Sequence, residues 1–467
     1  MSINNQVKRE VFHLHPTGWE LDPEEEKFKL STLDYLVSCV YVSYAIFFKI
    51  DDDEGKPKVV ELLKQGLEKT LSQTRHLCGN IEKDPDGGHS FVKKRDSTVQ
   101  FVTKWLDQAE HEGIYPPHFS VSPMTYGEKS AAFLGTQPKA AAFQATFIRG
   151  GLVFMMHHHM GNDVMGWAGE FHQLAENCAA IWNKTAFPPW DRACLDVSPF
   201  TKKDYPTDQQ VEGPAPPQKH PGHKKAQWLL FHLPKSKAAE LKKLASPADG
   251  SYWISTYDAF NAFAWRTLSR LRAKVYKPDP SSTPLWGEAV DMRKRCTNPR
   301  VPARIQHNVV AVALSTQAPA PQLTAAEIIS DAPLSRLAWF IRQLTNSTTQ
   351  GSLDRTLDAV APVRDKSSLF LRCDSFEPMY SFTTDWRDTN VAGADFGFAK
   401  PYAFRFPMNY VTPGLQIVYP PRSDDPGSDE GPELCIGFEK ELTQELLEDP
   451  EWSKYFEFRG IDAEEED

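Results

Sequence analysis

The sequence predicts an α/β protein in two halves, on three observations. Apolar residues at strand spacing and at helix spacing alternate through both halves, which argues for two α/β-type layers. Residues 206–225, PTDQQVEGPAPPQKHPGHKK, are rich in proline, glycine and polar residues and have no apolar period, as in a linker. The chain has 467 residues, and at roughly 100–200 residues per domain two domains are the default. The boundaries that follow are an N-terminal domain over 1–205, a crossover linker over 206–225 and a C-terminal domain over 226–467.

Residues 8–20 read as a first strand or extended arm. Leu30–Asp34 is a turn into the aromatic, β-branched segment Tyr35–Ile50, and residues 51–58 are a polar break. Val59–His76 spaces Val59, Val60, Leu62, Leu63, Leu67 and Leu71 as a helix does, with Cys78-Gly79 as its stop. Gly87-Gly88 is a hairpin-like turn, and Phe91–Val102 alternates as strands do. Phe147–Met156 is an apolar run of strand character that ends in His157, His158 and His159. Met165–Trp182 is a helix with Trp167, Phe171, Leu174, Cys178 and Ile181 among its apolar positions. In the second half, Trp228–Leu233 reads as a strand and Ser236–Leu244 as a short helix. Ser255 and Asp258 form a capping box for a helix over Asp258–Val275. Ala325–Asn346 is helical. Phe376–Asp385, Leu415–Tyr419 and Leu434–Phe438 read as strands, the last two paired across the acidic loop 421–433, and Glu439–Leu447 closes as a helix.

Composition excludes several classes. The formal net charge is −10 with no basic face, which argues against nucleic acid as a partner. Seven scattered cysteines without C-x-x-C spacing suit reduced thiols, not a disulfide frame or a zinc site. The N-terminus lacks the charged-then-apolar pattern of a signal peptide. The longest apolar run, Tyr35–Ile50, contains Ser38, Ser43 and Lys49 and falls short of the ~20 residues of a membrane span. The expectation is a cytoplasmic protein with no membrane partner.

The chemistry concentrates at the histidine triplet. On a strand only His157 and His159 could share a face. With no H-E-x-x-H and only Asp163 as a further ligand, a metal is not expected. His159 and Asp163 stand at H-x-x-x-D spacing between a strand and a helix. That pattern suits a general base: an imidazole with a pKa of about 6.5 takes a proton from a hydroxyl or amine at neutral pH. The carboxylate one turn on can pair with an arginine and brace the loop. No G-x-S-x-G elbow or catalytic cysteine context is present, so direct attack by the acceptor fits better than an acyl-enzyme. Asp395-Phe396-Gly397 matches the kinase D-F-G, but without an H-R-D loop or a glycine-rich phosphate loop a kinase is excluded.

H-x-x-x-D near residue 160 together with Asp395-Phe396-Gly397-Phe398-Ala399 resembles the BAHD acyltransferase family, and within it the fungal branch that includes trichothecene 3-O-acetyltransferases. Leu30–Asp34, Leu62–Ile81, Phe143–Gly151, Ala289–Arg295 (AVDMRKR) and Thr384-Asp385-Trp386 resemble further family segments in the same order. The resemblance implies two chloramphenicol-acetyltransferase-like domains, each a mixed β-sheet flanked by helices, with an interdomain solvent channel. His159 would be the general base and Asp163 a structural brace, with Arg293 its first candidate partner. Thr384 and Trp386 would line the pocket near the oxyanion. Ser255, Thr256, Arg293, Asp395 and Gly397 would lie on the cofactor side. The implied co-substrate is acyl-CoA, acetyl-CoA first, with no permanently bound cofactor, and the implied enzyme is a monomer acting on a small-molecule acceptor. Two positions depart from the family pattern: Val164 stands where a glycine usually follows the aspartate, and Ala399 where D-F-G-x-G ends. Two alternatives share the scaffold: acyl transfer from a carrier protein, as in condensation domains, and a catalytically degenerate binding protein.

Overall fold

The computed structural model of the chain describes residues 8–37, 42–50, 55–85, 88–106, 137–148, 150–156, 160–202, 205–407 and 410–465. The first half contributes β1 (Lys8–Leu14), β2 (Glu25–Lys29), β3 (Tyr44–Lys49), α1 (Lys56–Gln73), β4 (Asn80–Lys83), β5 (His89–Lys94), β6 (Val99–Trp105), β7 (Phe143–Ile148), β8 (Gly151–Met156) and α2 (Val164–Asn183). The second contributes β9 (Ala226–His232), α3 (Lys235–Ala245), α4 (Thr256–Tyr276), β10 (Trp286–Asp291), β11 (Val310–Leu314), α5 (Ala325–Ile329), α6 (Leu334–Ser347), α7 (Gln350–Val360), β12 (Ser381–Asp385), β13 (Ala403–Arg405), β14 (Leu415–Tyr419), β15 (Glu433–Glu439), α8 (Thr443–Glu448), α9 (Pro450–Ser453) and β16 (Glu457–Glu464).

Two mixed sheets carry the architecture, in line with the expected fold class. The first runs β1-β6-β7-β8-β3-β13, with β6 and β7 parallel. The second runs β11-β10-β12-β14-β15-β9-β16, with β10, β12 and β14 mutually parallel. A small sheet, β2-β5-β4, stands beside them. Leu63, Leu67 and Leu71 of α1 and Trp167, Phe171 and Leu174 of α2 share one core with Phe101, Phe143 and Phe154 of the first sheet. A second core joins Phe231, Trp286 and Ile436 of the second sheet to Phe260, Trp265, Leu337 and Ile341 of α4 and α6. Each such side chain contributes about 1.5–3 kcal/mol on burial, so the amphipathic spacing read from the sequence is what fixes the layers.

Several boundaries differ from those the sequence predicts, each for a local reason. The run Phe147–Met156 is two strands, β7 and β8, paired antiparallel with Ile148 opposite Gly151. Gly150, at φ 68°, makes the reversal between them, which a chain of L side chains resists. The strand in Tyr35–Ile50 begins only at Tyr44, because Leu33–Leu36 is a 3-10 turn. The helix over Ala325–Asn346 is broken into α5 and α6 at Pro333, which cannot donate to a helix interior. The strand in Phe376–Asp385 starts at Ser381, after Met379 at φ 78°. Helices α7 and α9 and strands β2, β4, β10, β11, β13 and β16 are additions that the sequence pattern does not announce. The 206–225 stretch is strapped along residues 362–376: Val211 N donates to Pro362 O, and His220 N to Asp374 O. Nor do the sheets keep to the chain halves, because β13 pairs with β3 as the edge strand of the first sheet.

Candidate active site

Strand β8 is interior, hydrogen-bonded to both β7 and β3, and Met156 stands opposite Phe143 on one side and Tyr44 on the other. The description ends with β8 at Met156 and resumes at Met160, and α2 begins at Val164. His157, His158 and His159, the proposed base among them, lie outside the described residues. What the structure describes is the frame on either side of them.

Asp163 is the N-cap of α2: its Oδ1 accepts from Gly166 N at 2.7 Å. The same carboxylate receives both arms of a guanidinium, Arg293 Nη2 to Oδ1 at 2.9 Å and Nη1 to Oδ2 at 3.0 Å, and Val309 N donates to Oδ2 at 2.8 Å. The arginine sought for Asp163 is thus Arg293. Its remaining donors go to Asp291 Oδ1 (2.8 Å) and to the carbonyls of Ile305 (3.1 Å) and His307 (3.2 Å). Burial alone would lower the Arg293 pKa; the charges of Asp163 and Asp291 outweigh it and hold the guanidinium firmly protonated. Burial, reinforced by the Asp163 charge, pushes the Tyr44 phenol well above its ordinary pKa, so it stays neutral.

The segment 306–309 runs beside this cap. Asn162 Nδ2 donates to Gln306 Oε1 at 2.9 Å, His307 N donates to Asn162 Oδ1 at 2.6 Å, and Gln306 Nε2 donates to Gly166 O at 3.1 Å. Sequence reasoning missed Asn162, Gln306, His307 and Asn308. They are polar residues with no periodicity, and their partners lie more than a hundred residues away.

Thr384 and Trp386 stand at the C-terminal end of β12. The Trp386 indole N–H donates to Thr384 Oγ1 at 2.8 Å, and its ring meets Tyr44 edge-on at 5.6 Å between centroids. Arg387 follows and pairs with Asp385 at 2.6 Å. Arg387 also lines a cleft of about 570 Å³ with Lys235, Lys242, Lys243 and Thr256. Three lysines line it together with Arg387, whose charge is already paired with Asp385. Ser255 serves the helix instead. Its hydroxyl donates to Asp258 Oδ2 at 2.8 Å and accepts from Asp258 N at 3.2 Å, which closes the capping box of α4.

The D-F-G stretch is a turn. Asp395 Oδ1 accepts from Gly397 N at 2.7 Å, and Phe396 N donates to Ala399 O at 3.1 Å. Phe396 is fully buried against Phe48, Phe171 and Phe398. Gly397 has φ 83°, and a Cβ there would stand 2.6 Å from Trp182 Cβ. Arg293, Asp395 and Gly397 are the residues expected on the cofactor side. Arg293 is enclosed by carboxylates and carbonyls, and the other two form a turn over α2; none of the three lines the basic cleft. Among the described residues no three His, Cys, Asp or Glu side chains gather as metal ligands would, and no helix is long and apolar enough to cross a membrane.

The sequence matches the family model described as the Transferase family over residues 20–441. It is 56% identical to Acetyltransferase FGR3 of Gibberella zeae, with 97% of this chain and 95% of that protein covered. It is 25% identical to trichothecene 3-O-acetyltransferase TRI101 of Fusarium sporotrichioides, with 90% and 94% covered. Among solved structures, F. graminearum TRI101 complexed with ethyl coenzyme A matches with a TM-score of 0.76 at 20% identity, over 93% of this chain and all of that one. Vinorine synthase matches with a TM-score of 0.67 at 18% identity, over 94% and 96%. At such identities the structural likenesses speak for the fold.

Proposed function

The chain belongs to the Transferase family, the BAHD acyltransferases, and is an acyltransferase; from that premise we propose that it moves an acyl group from acyl-CoA, acetyl-CoA first, onto a hydroxyl or amine of a specialised metabolite. His159 takes the proton from the acceptor as its oxygen or nitrogen attacks the thioester carbonyl in a ternary complex. The tetrahedral intermediate then collapses, the C–S bond breaks, and the imidazolium returns the proton to the leaving thiolate. No covalent enzyme intermediate and no resident cofactor enter. The enzyme acts as a cytoplasmic monomer.

The observation that carries this reading is the Asp163–Arg293 lock. A carboxylate that already receives a bidentate guanidinium, an amide from Gly166 and another from Val309 has no capacity left to relay protons. Its role, four residues after His159, is to fix the start of α2. Thr384 is the better oxyanion donor of its pair. The Trp386 N–H is spent on Thr384 Oγ1, which leaves the hydroxyl proton to point elsewhere, and one such donor is typically worth ~3 kcal/mol. The basic cleft suits the phosphates of CoA, with Lys242 and Lys243 as charge and Thr256 at the amino end of α4. The Acetyltransferase FGR3 relative and the coenzyme A complexes of TRI101 point to the same donor. Arg293 is read as a brace, Ser255 as a cap, and Asp395 and Gly397 as a turn, so their substitution acts through structure.

The test is turnover with acetyl-CoA and a panel of candidate metabolites, with product read by mass spectrometry and free thiol by a chromogenic reagent. Thiol should appear in step with product. His159→Ala should remove nearly all of both while its melting curve stays that of the native protein; undiminished transfer in that variant sinks the mechanism. Product formed only from a carrier-protein thioester would instead favour the condensation-type reaction.

A further inference from the structure

We propose that Asp34 is a positioning residue for catalysis: its buried carboxylate anchors the 306–309 segment as a strap, and the strap holds Met160–Asp163, the stretch that directly follows the base in sequence. The inference rests on the reading of His159 as that base.

Asp34 is wholly buried, in the turn Leu33–Leu36. Its Oδ2 accepts from Ser31 N (2.7 Å), Ser31 Oγ (2.9 Å) and His307 Nδ1 (2.9 Å), and its Oδ1 from Asn308 N (3.0 Å) and Asn308 Nδ2 (2.8 Å). Two of these bonds serve its own turn. The other three reach across the chain to the strap, so the carboxylate is chiefly a tether. Burial would raise its pKa, but the His307 charge and the Asn308 donors outweigh that and keep the group ionised.

His307 shows what the tether sustains. Its φ is 69°, in the left-handed region that few residues other than glycine occupy, though asparagine, aspartate and histidine enter it more readily than most. In that pose its N–H reaches Asn162 Oδ1 at 2.6 Å, and its carbonyl accepts from Asp163 N at 3.4 Å and from Arg293 Nη2 at 3.2 Å. Asn308 Nδ2 lies 3.5 Å from Met160 O, and Val309 N donates to Asp163 Oδ2 at 2.8 Å. Three consecutive strap residues therefore grip Met160, Asn162 and Asp163, the stretch that begins one residue after His159. The His307 ring is stacked on His76 at 5.0 Å and meets Phe91 edge-on at 5.3 Å, so the segment is fixed from behind as well. Without its carboxylate anchor, the strap loses the three hydrogen bonds that Asp34 receives from His307 and Asn308. The strap relaxes, and Met160–Asp163 is freed to shift with it. Proton transfer falls steeply with small displacements of the base. The basic cleft, built from α3, the start of α4 and Arg387, shares no residue with the strap.

The experiment measures Asp34→Asn in the full-length enzyme. The expected result is a fall in kcat of about a hundredfold with KM for acetyl-CoA changed by less than about twofold, and little additional loss when Asp34→Asn is combined with Asp163→Asn, since both act on one stretch. Native-like kcat in a folded Asp34→Asn protein, a loss expressed in KM alone, or fully multiplicative losses in the double variant each overturn the proposal. If Asp34→Asn does not fold, a pair at 307 decides. Asn adopts left-handed φ readily and keeps a donor, whereas Val does neither. His307→Asn should therefore retain far more kcat than His307→Val; equal values reject the strap. His159→Ala is measured alongside. Full turnover there rejects the base whatever Asp34 does, and loss there beside native-like kcat in Asp34→Asn rejects the strap alone.

Discussion

A methyl group on residue 166 would stand 2.7 Å from Asn162 Oδ1, 2.8 Å from His307 O and 3.1 Å from Arg293 Nη2. No rotamer change relieves the contact with the His307 carbonyl, because that atom is backbone. The close approach that needs a glycine therefore occurs here, and Val164, where the family pattern has its glycine, is the half-buried first residue of α2 and packs against the first core. Gly166→Ala should cost about 1–3 kcal/mol, as overpacking does, and should lower turnover with stability, which thermal melts and acyl-transfer rates on one preparation will check. Ala399 is the converse case: it is not among the described residues at positive φ, so the methyl group there imposes no backbone strain. The H-x-x-x-D and D-F-G signals were legible because each is a short local string. Asn162 and His307 were not, because nothing in a single sequence reports that an asparagine and a histidine 145 residues apart share a hydrogen bond.

At the scale of elements, α4, α6 and β10 meet at one buried acid. Glu288 of β10 accepts from Tyr257 Oη at 2.9 Å and from Thr345 Oγ1 at 2.6 Å. Burial pushes its carboxyl up from 4.5 to about 7, against the pull of those two hydroxyls. The native state therefore keeps a proton that the unfolded chain releases, and stability contributed at this site declines as pH rises from 4.5 to about 7, then levels off. Glu433, held down to about 2 from 4.5 with Arg405 and Arg422 outweighing its burial, works in the opposite sense: its contribution is present above 4.5 and lost as pH falls toward 2. Glu288→Gln cannot ionise. Its stability relative to wild type should rise by roughly 3 kcal/mol between pH 4.5 and 8, at about 1.4 kcal/mol per pKa unit; denaturant melts at both pH values measure the difference, and a pH-independent difference contradicts the assignment. Helices α1, α2 and α4 were legible because their apolar residues recur at helical spacing. The β7–β8 hairpin and the break at Pro333 lie inside continuous apolar or helical patterns, where only a glycine or a proline marks the join.

For the whole molecule, charge is distributed unevenly despite the net −10. The cleft beside Arg387 gathers Lys235, Lys242 and Lys243. Lys242→Glu with Lys243→Glu should raise KM for acetyl-CoA severalfold with kcat little altered, and added salt should shrink the effect, because exposed charges are screened over ~10 Å at 0.1 M; steady-state kinetics at two ionic strengths will tell. The two-sheet architecture was legible from alternation and length. The return of the chain to the first sheet was not, because Ala403–Arg405 is three residues long and carries no period. Arg405 then ties that strand to the second sheet through Glu433 at 2.7 Å. The return has a consequence for how the protein is made. Strand β3, Tyr-Ala-Ile-Phe-Phe-Lys, leaves the ribosome early, and its outer edge stays an open row of amides and carbonyls until residues 403–405 emerge. Unpaired apolar edges recruit other strands. The nascent chain therefore carries that uncovered edge through most of its own translation, and any truncation before residue 403 makes the exposure permanent.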